Sequence, residues 1–186
     1  PLWVFVGSKV NAVRTERGEK VSDVIDILLF LKRFLNNRPA TKEFINRLLN
    51  GASQLNDTRG NDLFAGRFDY LIASRMDAAD IYDDVVTRLF NAEVVGAEMH
   101  IDNLKGVQGE IGLRLGDGEY FGVINVGDDR ELIKLCVDNG FIVAERDFSE
   151  SLFKALAKDD SSVKILIGSK KFTEGWNSWR VSTMGL

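Results

Sequence analysis

The sequence predicts an α/β protein: a mainly parallel sheet covered by helices, with an inserted α+β segment. Three observations carry that reading. From Phe121 to Ile167, short apolar runs alternate with stretches of helical spacing. The order is strand, helix, strand, helix, strand, which is that of a parallel sheet with crossover helices. Residues 2–6, Leu-Trp-Val-Phe-Val, form a continuous apolar run, as expected of a strand buried on both faces. Between about 51 and 118 the rhythm breaks into a Gly-, Asn- and Asp-rich stretch and then short alternating runs, which marks the insertion.

The first strand closes at Gly7-Ser8-Lys9, a polar turn. Apolar residues then recur at Val21, Val24, Ile25, Leu28, Leu31 and Leu35, with Ile27, Leu29, Phe30 and Phe34 filling much of the opposite side, which predicts a long, largely buried helix. Ser22 is its expected N-cap. Arg38 precedes Pro39 and is biased out of the helical region, so the helix should end there. A short helix is expected over 41–49, a loop over 51–67 and a further helix over 76–90.

Residues 98–104 and 110–115 alternate between Gly breaks and predict a small antiparallel ribbon. A strand follows at 121–126. Asp128 and Glu131 then form a capping-box-like start to a helix that closes at Asn139-Gly140. After a strand at 141–144, Asp147 and Glu150 repeat the start signal before a helix of about ten residues, and 163–167 is another buried strand.

Composition bounds the function. The chain has 186 residues, 45% hydrophobic and 28% charged, the balance of an ordinary globular domain; one domain plus an insertion is expected. A net charge of −4 excludes a uniformly basic nucleic-acid glove, because phosphate affinity comes from clustered Lys and Arg. Any such contact must be local. Lone Cys136 cannot form an internal disulfide and, with lone His100, leaves no His/Cys set for zinc; a reducing cytoplasm is the expected setting. No segment reaches the roughly 18 apolar residues of a membrane span. Both chain ends cut directly beside apolar runs and are expected to be fragment boundaries.

In parallel α/β sheets ligands bind beyond the carboxyl ends of the strands. Three turns qualify: Gly7-Ser8-Lys9, Gly127-Asp128-Asp129 and Gly168-Ser169-Lys170-Lys171. The first and third share Gly-Ser-Lys, in which backbone N–H groups, a hydroxyl and an amine can all address a phosphate oxygen. Two copies beside one sheet edge would form a phosphate-contact strip.

The third turn continues as Phe172-Thr173-Glu174-Gly175-Trp176-Asn177-Ser178-Trp179-Arg180. The run from Val163 to Leu186 resembles motif V of superfamily-two helicases, and is most similar to the helicase subunit of type III restriction enzymes and related DEAD/DEAH-like proteins. The opening Leu-Trp-Val-Phe-Val-Gly-Ser-Lys resembles motif IV, the first strand of the second RecA-like domain. The resemblance covers both ends and the α/β stretch from about 121 onward.

It implies a RecA-like three-layer sandwich, forming the second motor domain of a bacterial ATP-dependent DNA helicase or translocase. It further implies DNA-backbone contacts from Ser169, with Lys170, Lys171, Thr173, Ser8 and Lys9 beside it. Gly175 and Asn177 would lie near the nucleotide, Asn177 where many relatives carry Asp. ATP and Mg2+ would act in the complete protein and none would be bound by this chain alone. DNA and the first RecA-like domain of the same parent chain are the implied partners, a modification subunit a further one. The chain carries no Gly-x-x-x-x-Gly-Lys-Ser/Thr loop and no paired acidic box, so no catalytic residue is assigned and ATP turnover is not expected of it alone.

Two other readings stay open. Asp77, Asp80, Asp83 and Asp84 share helical spacing and could hold a metal in a nuclease, although a solvated acidic face explains the pattern more simply. The Gly-rich ribbon at 96–118 could dock a protein partner. Asp102, Asp117, Asp128 and Asp129 are expected in capping and turn roles, Trp176 and Trp179 in the core, and Cys136 buried in its helix. His100 has no visible partner.

Overall fold

The computed structural model describes residues 1–7, 14–16, 19–92, 96–127, 129–169 and 178–185, with 14–16, 19–21 and 169 described by their backbone alone. β1 (Leu2–Gly7) turns Leu2, Val4 and Val6 into one core and Trp3 and Phe5 toward another, so it is covered on both faces as its apolar run requires. β2 (Arg14–Glu16) and β3 (Glu19–Val21) pair as a small antiparallel ladder.

α1 (Asp23–Asn36) starts on Ser22, whose hydroxyl accepts the Ile25 N–H at 3.4 Å, and buries Val24, Ile25, Leu28, Leu31 and Leu35. α2 (Arg38–Leu49) begins earlier than the expected 41. Pro39 falls in its first turn, where a missing N–H costs nothing, and the Asn37 side chain accepts from the Ala40 N–H.

α3 (Asp69–Ala73) has no counterpart in the sequence expectations, because five residues are too few to display a period. α4 (Ala78–Phe90) opens on a reciprocal capping box: Asp77 accepts the Asp80 N–H and Asp80 accepts the Asp77 N–H.

β4 (Met99–Lys105), β5 (Glu110–Leu115) and β6 (Tyr120–Asn125) form a meander, followed by α5 (Arg130–Asp138), β7 (Ile142–Asp147), α6 (Leu152–Ala155), β8 (Ile165–Ser169) and β9 (Val181–Gly185). Seven strands make one mixed sheet in the order β7-β4-β5-β6-β8-β1-β9. Every neighbouring pair is parallel except the two that involve β5. The architecture is therefore α/β, with a mainly parallel seven-stranded sheet.

One face packs on α1, α4 and α5 around Leu28, Phe90, Phe121 and Ile165; the other packs on α6 and the following loop around Leu104, Val123, Leu156 and Leu166. Phe34 stacks on Tyr82 and Phe90, with centroids 5.5 and 5.8 Å away, which ties α1 to α4.

Several expectations change. The antiparallel ribbon forms, but as β4 and β5 inside the main sheet, where every residue of β5 is buried. It is therefore no free docking arm. The helix after β7 spans only Leu152–Ala155 and is capped by Ser151, not by Asp147 or Glu150. Past Ala155 the chain goes over to i→i+3 turns, and the Arg180 guanidinium takes the carbonyls of Leu156, Ser161 and Val163 at 2.9–3.2 Å. At the start of α5, Asp129 occupies the cap position without a side-chain cap bond, while Asp128 lies outside the described residues. Trp179 is 97% exposed rather than packed in the core, and Trp176 lies outside the described residues.

Candidate functional site

The carboxyl ends of three parallel strands converge on one edge of the sheet. β1 and β8 are neighbours, with Val6 opposite Gly168 and Gly7 opposite Ser169. β6 lies on the other side of β8, with Asn125 opposite Gly168. The chain therefore leaves the sheet at Gly7, at Ser169 and just past Asn125 within one short edge, the place where an α/β sheet presents backbone groups to a ligand.

A Cβ on Gly7 would stand 3.4 Å from Asp23 Cβ and 3.7 Å from Val24 Cγ2, so this strand end abuts the first turn of α1. Asp23 and Asp26 make that turn acidic. Attraction for a phosphate at this edge must then come from cations on the turns themselves.

Of the residues expected to contact DNA or nucleotide, Ser169 is placed by its backbone at the end of β8. Ser8, Lys9, Lys170, Lys171, Thr173, Gly175 and Asn177 lie outside the described residues. What the fold brings together is the root of the first Gly-Ser-Lys turn and the root of the second.

The acidic residues proposed for a metal have structural occupations. Asp77 and Asp80 form the α4 capping box. Asp83 accepts Arg38 Nη2 at 2.8 Å, and Asp84 pairs with Arg88 one turn on at 2.6 Å. Among the described residues no group of three His, Cys, Asp or Glu is arranged to hold a metal.

The densest polar cluster went unforeseen. Asp102 is not at a turn: it lies mid-strand in β4, fully buried, and accepts Arg114 Nε at 2.6 Å, Arg146 Nε at 3.0 Å and the Tyr120 hydroxyl at 3.0 Å. His100 gains a neighbour there, its Nδ1 lying 3.5 Å from Arg114 Nη2. Asp117 reaches the same guanidinium at 3.4 Å from a fully exposed position.

Burial, and then the negative charge of Asp102, push the Tyr120 phenol up to about 12. Gly112 lies opposite Asp102 on β5, and the Tyr120 ring occupies the space its side chain would need. The cluster braces β4, β5, β6 and β7 against one another, and with its inner guanidinium only 5% exposed it offers no open site. Cys136 is wholly buried, and burial pushes its thiol up to about 12, so it is no nucleophile in the folded chain.

Among the described residues no helix is long and apolar enough to cross a membrane. The fold is that of an α/β protein with a mainly parallel sheet. No protein-family model, no curated protein and no solved structure matches the chain.

Proposed function

We propose that this chain is the second RecA-like motor domain of an ATP-dependent DNA helicase or translocase, of the kind found in type III restriction systems. The observation that supports the reading most is the register of β1 and β8: Gly7 stands beside Ser169, so the two Gly-Ser-Lys turns spring from adjacent parallel strands at one edge. Two such turns can grip successive phosphates of a strand through backbone N–H groups, hydroxyls and amines. The mainly parallel α/β sheet, with α1, α4 and α5 on one face and the short α6 and a loop on the other, is of the general class to which RecA-like domains belong.

In this reading Ser169, Lys170, Lys171 and Thr173 contact the backbone from one turn, Ser8 and Lys9 from the other. Gly175 and Asn177 face the nucleotide held mainly by the first motor domain. ATP and Mg2+ belong to the complete protein, and no step is assigned to them in this chain. Closure of two such domains on ATP and reopening after hydrolysis would alternate the grip and move the protein along DNA.

The test is binding of single-stranded and duplex DNA across a salt series, comparing the chain with a Ser169→Ala, Lys170→Ala, Lys171→Ala variant. The expected result is weak binding that falls with salt. Loss of two cationic contacts should flatten the log–log salt slope by about 1.4 to 1.8. Binding indifferent to the three changes would remove this edge as the source of DNA contact.

A further inference from the structure

A second feature lies on the opposite side of the helical layer and owes nothing to the strand-end edge. Where α1, α2, α3 and α4 meet, a groove of about 530 Å³ opens to the surface. Its walls are two apolar ridges at helical spacing, Phe30 and Phe34 on α1 and Phe44 and Leu48 on α2, and its floor reaches Trp3 on β1. Phe30 and Phe44 are 55% and 40% exposed at the rim, where with the groove between them they form one contiguous apolar patch.

The walls are fixed, because Phe34 stacks on Tyr82 and Phe90. Two polar groups of the walls are satisfied internally: the Thr41 hydroxyl donates to the Phe34 carbonyl, and the Asn37 side-chain oxygen accepts from the Ala40 N–H. At the floor of the groove Trp3 is half-buried, and Thr183, beside it on the edge strand, is exposed.

We propose that this groove receives an amphipathic α-helix of a partner protein, with its apolar face on the Phe30–Phe44 trough and an acidic residue opposite Arg33. The shape argues for a helix: two facing ridges of i,i+4 spacing leave the channel into which a third helix packs. The charge argues for an acidic flank. Arg33 is the one charged side chain lining the groove, and it has no acidic partner among the described residues.

The test uses two synthetic helical peptides of about 16 residues, each with Leu and Phe at i, i+4 and i+7, one flanked by Glu and one by Lys. Binding to the 186-residue chain is read by fluorescence anisotropy of the labelled peptide. The Glu-flanked peptide should bind about threefold tighter than the Lys-flanked one, the scale of an exposed ion pair, and Arg33→Glu should invert that preference. Phe44→Asp should weaken both by about tenfold or more, since it puts a charge where the apolar face of the helix would be buried.

Circular dichroism and thermal melting of Phe44→Asp, and of Phe30→Asp as a second exposed-rim variant, establish that the fold is kept. Absence of binding by either peptide, or binding unaffected by Phe44→Asp, overturns the proposal. Self-association of the chain that Phe44→Asp abolishes would assign the groove to a second copy and overturn it as well.

Discussion

Asp102 shows how much one residue can depend on neighbours far away in sequence. A carboxylate at 0% exposure is tolerable only because two guanidinium groups and a phenol converge on it. Arg114→Met should therefore cost about 3–5 kcal/mol in urea unfolding, since it leaves a buried charge with only the half-exposed Arg146. Tyr120→Phe, which removes one hydrogen bond, should cost about 1 kcal/mol.

Tyr120 at this site and Cys136 in the core under α5 set an alkaline limit. The Tyr120 phenol titrates near 10 when unfolded and about 12 when folded, and the Cys136 thiol moves from 9 to about 12. Both are raised, so the stability they contribute is complete below pH 9 and drains as the pH climbs toward 12. Urea midpoints should be level from pH 7 to 9 and fall above it, less steeply in Tyr120→Phe. None of this was legible in the sequence. Asp102 reads as a turn residue until the register of β4 against β5 is known, and that register places it opposite Gly112.

Elements were legible wherever their causes are local. The start of α1 follows from Ser22, and the end of α5 from Asn139-Gly140, where Gly140 takes a φ of 69°. The start of α4 is equally local, and it makes a prediction. Hydrogen bonds from the Asp80 and Ala79 N–H groups hold the Asp77 carboxyl below its usual 3.8, so its stabilising effect is present above that pH and lost as the pH falls through the lowered value. Asp77→Asn should keep the cap and lose the acid sensitivity, whereas Asp77→Ala should lose the cap at every pH; helical circular dichroism against pH separates the two.

α6 is shorter than expected, and the residue that holds the chain after it, Arg180, lies beyond β8, out of reach of any local pattern. The β5 hairpins depend on two glycines. A Cβ on Gly112 would overlap the Tyr120 ring, and one on Gly109, at a φ of 76°, would overlap the Val126 carbonyl oxygen. Gly112→Ala should cost about 1–3 kcal/mol, an overpacked ring. Gly109→Ala should cost more, because strain at positive φ adds to a clash with backbone that cannot rotate away.

For the whole molecule, the α/β class was readable from alternating strands and helices after Phe121, but the strand order was not. Nothing in the run 98–115 distinguishes a separate ribbon from two central strands, because antiparallel alternation looks alike in both places; burial on both faces of β5 decides it. The likeness of the two Gly-Ser-Lys turns was visible in the sequence, and the neighbouring positions of their roots came from pairing across nearly the whole chain.

That pairing governs the order of assembly. β1 is held in the sheet only by β8 and β9, with Trp3 opposite Ile165, about 160 residues later. During synthesis β1 must wait, apolar and without its sheet partners, until β8 has been made. Such a strand is a natural client for a chaperone and a natural seed for aggregation if translation stalls. β8 and β9 then close the sheet on either side of β1.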